Sequence, residues 1–284
     1  MPFDPHAYLG MLAEIADGEI DLARAALALA AREQPGVATE RYIHHIRKLG
    51  EETAEHHKTL IAAGAADDGG TQLAALKHVI VTKNGYVGDG ETYDDLQNAS
   101  LMRVIDRRKG LPITLSILYI AAARAQEWGV YGLDFPGHFL CRLDKDSSRF
   151  IFDPFHDCKI LEAPDLRSFV KQVRGPDAEL SADYFNAAPN RDILMRLQNN
   201  IKYRQIEGED YTGALHTVEA MRLIDAGEYR LLLDAGVLYA RTGQNMPAIA
   251  ALEEYIKKAP KDRDRHDAAM LLQDLKNSLS GRDK

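Results

Sequence analysis

The sequence has very few cysteines and no secretory signal. Of its 284 residues only Cys141 and Cys158 are cysteines, too few for a disulfide framework or a thiolate metal cage. The N-terminal residues are acidic and lack the order of a secretory signal, which is basic first and then apolar. These absences predict a reduced protein of the cytoplasm.

Long apolar runs are also missing. The longest stretch without a charged residue covers residues 110–123, only fourteen positions. A helix that spans a bilayer needs about twenty apolar residues, so we expect no membrane span. Residues 111–123 are apolar nearly all round, which instead predicts a central helix covered on most sides.

The chain has no excess of positive charge. Its net charge is −8, which gives it no general attraction to nucleic acid or to anionic lipid. One dense basic run is present, Arg107-Arg108-Lys109, and it is interpreted as the solvated end of a helix, where cations are favourable. We therefore do not expect nucleic acid as a partner.

The common metal and cofactor motifs are absent. His44-His45 and His56-His57 are sequence neighbours on a predicted helix, so the two rings of each pair point in different directions. No HExxH or CxxC accompanies them, and GxGxxG, GxxxxGK[ST] and GxSxG do not occur. We predict neither a metal site nor a cofactor.

The hydrophobic periodicity predicts an α+β protein that is mostly helical. The first third reads as helices, and residues 83–95, with three glycines, read as a loop. Three short strands are predicted at 130–135, 138–143 and 150–153, as a small antiparallel sheet whose last two strands are joined by a polar hairpin loop. A helix at 163–173 follows, and from residue 192 onward everything is helical.

The C-terminal third contains a repeat. Ala214 and Ala248 lie 34 residues apart, each in the second helix of a predicted helical pair. The second copy has small, aromatic and proline residues where a tetratricopeptide unit has them, at Gly236, Tyr239, Gly243, Ala248, Leu252 and Pro260. We therefore expect two domains, residues 1–175 and residues 190–284, the second being tetratricopeptide-like.

The middle of the chain offers part of a catalytic triad. His138 and Asp153 are predicted on neighbouring antiparallel strands with their side chains on one face, where the carboxylate could fix the imidazole tautomer. A nucleophile would then be expected at the N-terminus of the buried helix, because the helix dipole lowers the pKa of a thiol there.

Three ordered motifs resemble the SirB-type family of bacterial proteins. They are the run R-R-K-G-L-P-I at 107–113, P-G-H-F at 136–139 and D-P-F at 153–155. The resemblance implies a transglutaminase-like, papain-like core followed by tetratricopeptide-like helices. It also implies a Cys–His–Asp triad in which His138 and Asp153 match the histidine and the aspartate.

The cysteine of that triad is missing. No cysteine precedes Cys141, which lies on the strand of His138 at a spacing that points it to the opposite face. Cys158 follows Asp153 on a loop and is not on the central helix. Catalysis by a thiol of the usual geometry is therefore excluded.

Two hydroxyls remain as possible nucleophiles near the start of the buried helix. Thr114 or Ser116 could attack a substrate if His138 served as the base, which would make the protein a hydrolase or an acyltransferase. Alternatively both hydroxyls bond back to helix carbonyls, and His138 with Asp153 is a buried polar pair that joins two strands.

The function predicted from these features is non-enzymatic. We expect a cytoplasmic binding or regulatory protein whose helical repeats hold a peptide or protein in a concave groove. The candidate binding residues, polar or amphipathic and on the first helix of each pair, are Asn199, Asn200, Tyr203, Arg204, Tyr239 and Arg241. The alternative is that these helices only cover an apolar face of the core.

Overall fold

The computed structural model describes residues 3–260 and 263–280, which form twelve α-helices and six short strands. The chain divides into two compact units. Unit 1 contains the N-terminal residues up to Tyr8 and residues 16–197, and unit 2 contains residues 9–15 and the chain from Gln198 onward. Across both described ranges, every helix is too short or too polar to cross a membrane.

Seven helices precede the repeat region. They are α1 Pro5–Met11, α2 Leu22–Glu33, α3 Glu40–Ala62, α4 Gly69–Lys77, α5 Leu101–Arg107, α6 Pro112–Arg124 and α7 Ala163–Arg174. Helix α2 begins where the Asp21 carboxylate accepts a hydrogen bond from the Arg24 N–H. Helix α6 begins with Pro112, whose missing N–H is not needed in a first turn.

Unit 1 contains two small sheets. The larger is antiparallel, with strands β3 Gly129–Phe135, β4 His138–Lys145, β5 Ser148–Asp153 and β6 Lys159–Ile160 in that order. The smaller is a parallel pair of two-residue strands, β1 Val87–Gly88 and β2 Lys109–Gly110. Strand β1 lies inside the segment predicted as a loop. It was not predicted because two residues are too few to show a hydrophobic period.

Helices cover both faces of the antiparallel sheet. One face packs on α7 through a core of Leu133, Phe135, Leu140, Ile151, Leu161, Leu166 and Val170. On the other face Tyr119 of α6 packs against Phe152 with ring centroids 5.3 Å apart. Residues 113–120 of α6 are all buried, as their apolar run predicts. The predicted α+β fold class is confirmed.

Unit 2 is a stack of helix pairs. Its helices are α8 Asn190–Glu207, α9 Tyr211–Ile224, α10 Arg230–Arg241, α11 Asn245–Lys258 and α12 Arg263–Ser280, the first eight residues of α8 belonging to unit 1. The repeated Ala214 and Ala248 are fully buried. Helices α10 and α11 pack so closely that a Cβ on Gly236 would lie 2.7 Å from Leu252 Cγ.

The two units separate within α8 and not before it. The sequence places the second domain from residue 190, whereas the compact units divide between Leu197 and Gln198. The reason is that the start of α8 hydrogen-bonds within unit 1: the Asn190 side chain donates to the Asp17 carbonyl, and the Asn190 N–H donates to the Asp17 carboxylate.

Candidate functional site

His138 and Asp153 lie on neighbouring antiparallel strands. Cys141 of β4 pairs with Phe152 of β5, so the alternation of the strands turns His138 and Asp153 to the face that carries Leu140. This is the face covered by α7. Ser116 of α6 contacts Cys141, which is on the opposite face.

Asp153 is paired with a histidine that the sequence does not single out. Its buried carboxylate lies with Oδ2 2.7 Å from Nδ1 of His156, while Oδ1 accepts a hydrogen bond of 2.8 Å from the Phe155 N–H. The His156 side chain is 61% exposed. A carboxylate in this position orients the imidazole and fixes its tautomer. The sequence signal for this pair is the run D-P-F-H, which places His156 three residues after Asp153.

The His138 ring is packed against an aromatic side chain. It stacks on Phe169 of α7 with ring centroids 3.9 Å apart, and within the described residues its imidazole makes no hydrogen bond. Burial lowers the pKa of His138, although the Asp153 carboxylate acts in the opposite direction. His138 is therefore a stacked ring whose neutral form is favoured, and the carboxylate expected to orient it is bonded to His156.

The two candidate hydroxyls face the main chain. Thr114 Oγ1 donates to the carbonyl of Asn98 at 2.9 Å, and Ser116 Oγ donates to the carbonyl of Pro112 at 2.8 Å. Both side chains are completely buried. This geometry argues against either residue as a nucleophile, because each hydroxyl proton is already bonded and no substrate atom can reach the oxygen.

Both cysteines are buried free thiols. Burial raises the pKa of Cys158 to about 12 and that of Cys141 further above its ordinary value. A thiol acts as a nucleophile through its thiolate, so neither residue supplies one near neutral pH.

The basic run lies at the end of α5 as predicted, but the interpretation that it is solvated is wrong for its first residue. Arg107 makes an ion pair of 3.1 Å with Asp89, whose side chain is fully buried, and also donates to Asn98 Oδ1 at 3.0 Å. Hydrogen bonds from Thr92 lower the pKa of Asp89 to about 2. Arg107 thus joins the end of α5 to the loop around β1.

The interpretation is wrong for Arg108 as well. Its backbone is left-handed, with φ of 62°, and its guanidinium lies over the Tyr86 ring at 4.7 Å. It also lies 2.7 Å from Nε2 of His45, which is in turn 2.8 Å from the Tyr86 hydroxyl. Burial, reinforced by the Arg108 charge, lowers the pKa of His45 to about 4.

The histidine pairs make ring contacts instead of metal-like clusters. His56 stacks on His78 with centroids 3.8 Å apart, and His57 meets Trp128 edge-on at 4.9 Å. In residues 3–260 and 263–280 no three His, Cys, Asp or Glu side chains are arranged to hold a metal ion.

Unit 2 has a groove of about 500 Å³ along the first helix of each helix pair. It lies against α10 and α12, with the end of α8 and the start of α9, which is the surface expected to be concave in such repeats. Its apolar floor consists of Ile206, Leu233, Val237, Leu238, Ala268 and Leu271. Its charged rim consists of Asp234, Asp264, Asp267 and Arg241.

The candidate binding residues are distributed differently from the prediction. Of the six, Arg241 lines the groove. Tyr239 donates its hydroxyl to Glu219 of α9, and Arg204 bonds the side chain of Asn200 one turn earlier on α8. Tyr203 is 59% exposed, and Asn199 is partly buried. The apolar residues of the floor and the carboxylates of the rim were not predicted from the sequence.

Comparisons with known proteins agree with this architecture. Residues 40–199 match a family model of the transglutaminase-like superfamily, and residues 201–273 match a model of the tetratricopeptide repeat. A UPF0162 protein of Xylella fastidiosa (strain 9a5c) is 31% identical over 209 residues, covering 72% of this chain and 74% of the relative. A UPF0162 protein of Vibrio cholerae is 29% identical over 198 residues, covering 69% and 71%. Protein SirB1 of Salmonella typhimurium is 22% identical over 192 residues, covering 67% and 71%. No solved structure matches the chain.

Proposed function

We propose that this chain, which belongs to the transglutaminase-like superfamily and to the family of the UPF0162 and SirB1 proteins, is a non-enzymatic protein that binds a peptide. The binding surface in this proposal is the groove of unit 2, and the protein acts in the cytoplasm. The observation that carries the proposal is that groove, with its apolar floor and charged rim.

The transglutaminase-like core supports the non-enzymatic part of the proposal. Its two thiols are buried with raised pKa values, and the hydroxyls of Thr114 and Ser116 are bonded to main-chain carbonyls. The alternative, a hydrolase or acyltransferase with His138 and Asp153, needs one of those hydroxyls free in a cleft.

The groove has the chemistry of a peptide site. Its size lies in the range of about 300–1,000 Å³ that is common for ligand sites, and its floor suits the apolar face of a short helix or strand. Three carboxylates and one guanidinium form its rim, and Lys202 lies 2.6 Å from the Asp234 carboxylate. Asp264 and Asp267 are exposed, although Asp267 also lies 3.7 Å from the Arg263 guanidinium. Their carboxylates favour a peptide with lysine or arginine beside its apolar residues.

Selection from a random-peptide display library tests the proposal without knowledge of the natural partner. The full chain serves as bait, next to the variants Val237→Arg and Met246→Arg. Val237 is on the groove floor and is 37% exposed, so an arginine there fills the groove and adds a charge without entering the core. Met246 is 68% exposed and lies outside the groove, which makes it the matched control.

We expect the wild type and Met246→Arg to enrich the same peptides, with apolar residues flanked by lysine or arginine, and Val237→Arg to enrich none of them. If the wild type enriches nothing, the peptide-binding function is wrong. If Val237→Arg enriches the same peptides as the wild type, the function survives but the groove is not its site.

A further inference from the structure

Unit 1 contains a cavity that the proposed function does not use. It has a volume of about 480 Å³ and lies between the start of α2, the first half of α3 and the C-terminal end of α6. Leu27, Ile43, Ile46 and Ile120 give it an apolar lining. Thr114 is near the opposite end of α6, a helix about 18 Å long, so this cavity is separate from the candidate triad.

Arg124, the last residue of α6, lies on the wall of this cavity. Its guanidinium donates a hydrogen bond of 3.0 Å to Asn190 Oδ1. Among the described residues no carboxylate lies within 4.0 Å of it, so the charge has no ion-pair partner there. The Arg124 side chain is exposed, so a ligand can reach its guanidinium from solvent. Burial lowers the pKa of Arg124, while the nearby charges of Asp17 and Asp21 act in the opposite direction.

The other charged groups at the cavity are compensated or acidic. Arg24 is paired with Asp21 at 3.2 Å, and Arg47 is paired with Glu51 at 3.6 Å. Glu19 and Asp21 are also on the wall. Arg124 is therefore a cation beside an apolar floor with no carboxylate in ion-pair contact. The acidic residues on the wall would repel a ligand with two negative charges more strongly than a ligand with one.

We propose that this cavity binds a monocarboxylate with an apolar body, of the fatty-acid type, independently of the peptide groove. The carboxylate accepts hydrogen bonds from the Arg124 guanidinium, which has a planar fork of donors suited to it. The apolar chain of the ligand packs on the isoleucine and leucine side chains of the floor, where its burial is favourable. The single negative charge of the ligand complements the single unpaired cation.

Titration of the full chain with sodium octanoate, followed by NMR of isoleucine δ1-methyl groups, tests this directly. We expect saturable shifts at Ile43, Ile46 and Ile120, and none at Ile151 or Ile160, which lie in the antiparallel sheet. Octan-1-ol and octyl phosphate serve as the neutral and the doubly charged comparisons. Octan-1-ol should bind at least about tenfold more weakly than octanoate, since one charge-assisted hydrogen-bonded pair contributes that much affinity. Octyl phosphate should bind more weakly than octanoate because Glu19 and Asp21 repel its second negative charge.

Variants identify the carboxylate-binding group. Arg124→Gln should weaken octanoate binding at least about tenfold, whereas Arg124→Lys, which keeps the charge, should lose less. Arg103→Gln is the control, because Arg103 is an exposed arginine on α5 that does not line the cavity. Equal affinity of wild type and Arg124→Gln, equal binding of octan-1-ol, or shifts only at isoleucines outside the cavity would each overturn the proposal.

Discussion

The two units use their charged side chains in opposite ways. In unit 1 the arginines of the 107–113 motif turn inward, Arg107 to the buried Asp89 and Arg108 to His45 and Tyr86. In unit 2 the groove leaves the carboxylates of Asp264 and Asp267 exposed at its rim. The motif at 107–113 thus contributes contacts to the core of unit 1, while the exposed carboxylates of the proposed groove lie on the tetratricopeptide-like helices.

The largest expected effect is the loss of the buried ion pair. Asp89→Asn removes the charge that pairs with Arg107, leaving only Asp95 at 4.0 Å. It also replaces one of the two oxygens that accept hydrogen bonds from Thr92 by an amide NH₂, so we expect a loss of about 3 kcal/mol in the free energy of unfolding. Urea unfolding measures it. The control Glu91→Gln, at a carboxylate that is 88% exposed, should change stability by less than about 0.5 kcal/mol. Equal stability of the two variants would show that the inward arginines do not hold the core.

A second variant tests the packing of the repeat helices. Gly236→Val places methyl groups where Leu252 already lies, and overpacking of this kind costs about 2 kcal/mol in the free energy of unfolding. Ala250→Val, on the exposed side of α11, is the control and should cost less than about 1 kcal/mol, the difference in helix propensity. A Gly236→Val protein as stable as the control would mean that α10 and α11 are not in close contact.

A pH series tests the His45 cluster. The pKa of His45 is about 4 in the folded chain, below its ordinary value of 6.5, so the unfolded state binds the proton more readily. The stabilisation is complete above pH 6.5 and is lost as the pH falls towards 4. Between pH 7 and 5 the loss should be about 1 kcal/mol, allowing for the partial exposure of the ring. His45→Gln should show a shallower loss over that interval, and an identical slope in both proteins would contradict the assignment.

The smallest effect concerns the candidate nucleophile. Ser116→Ala removes one hydrogen bond to the Pro112 carbonyl and should cost about 1 kcal/mol or less. A fluorophosphonate, which labels activated serines, should not label the wild type. Labelling that disappears in Ser116→Ala would show a reactive hydroxyl and would restore the hydrolase alternative.

The parts of the fold that were predictable from the sequence are those whose pattern extends over many residues. The apolar run of α6, the alternation of β3 to β5 and the 34-residue spacing of Ala214 and Ala248 each extend over enough residues to be recognised. Strands β1 and β2 are two residues long and pair across 22 positions, so no local pattern reveals them.

The candidate site was less predictable, because several of its side chains have more than one possible hydrogen-bond partner nearby. Asp153 could pair with His138 across the strands or with His156 in its own turn, and both arrangements fit the same residues. Arg107 found its carboxylate 18 residues earlier, on a loop that had no predicted structure. Side-chain pairing of this kind depends on the folded backbone, which composition and periodicity do not specify.

The most direct test of the account compares the two units in one binding measurement. The dissociation constant of a library-selected peptide is measured by fluorescence polarisation for the wild type, for Val237→Arg in the groove and for His138→Ala in the core. We expect at least about a tenfold weaker affinity for Val237→Arg and an unchanged affinity for His138→Ala, with both variants folded by circular dichroism. Weaker binding by His138→Ala together with unchanged binding by Val237→Arg would contradict the account and place the binding site in unit 1.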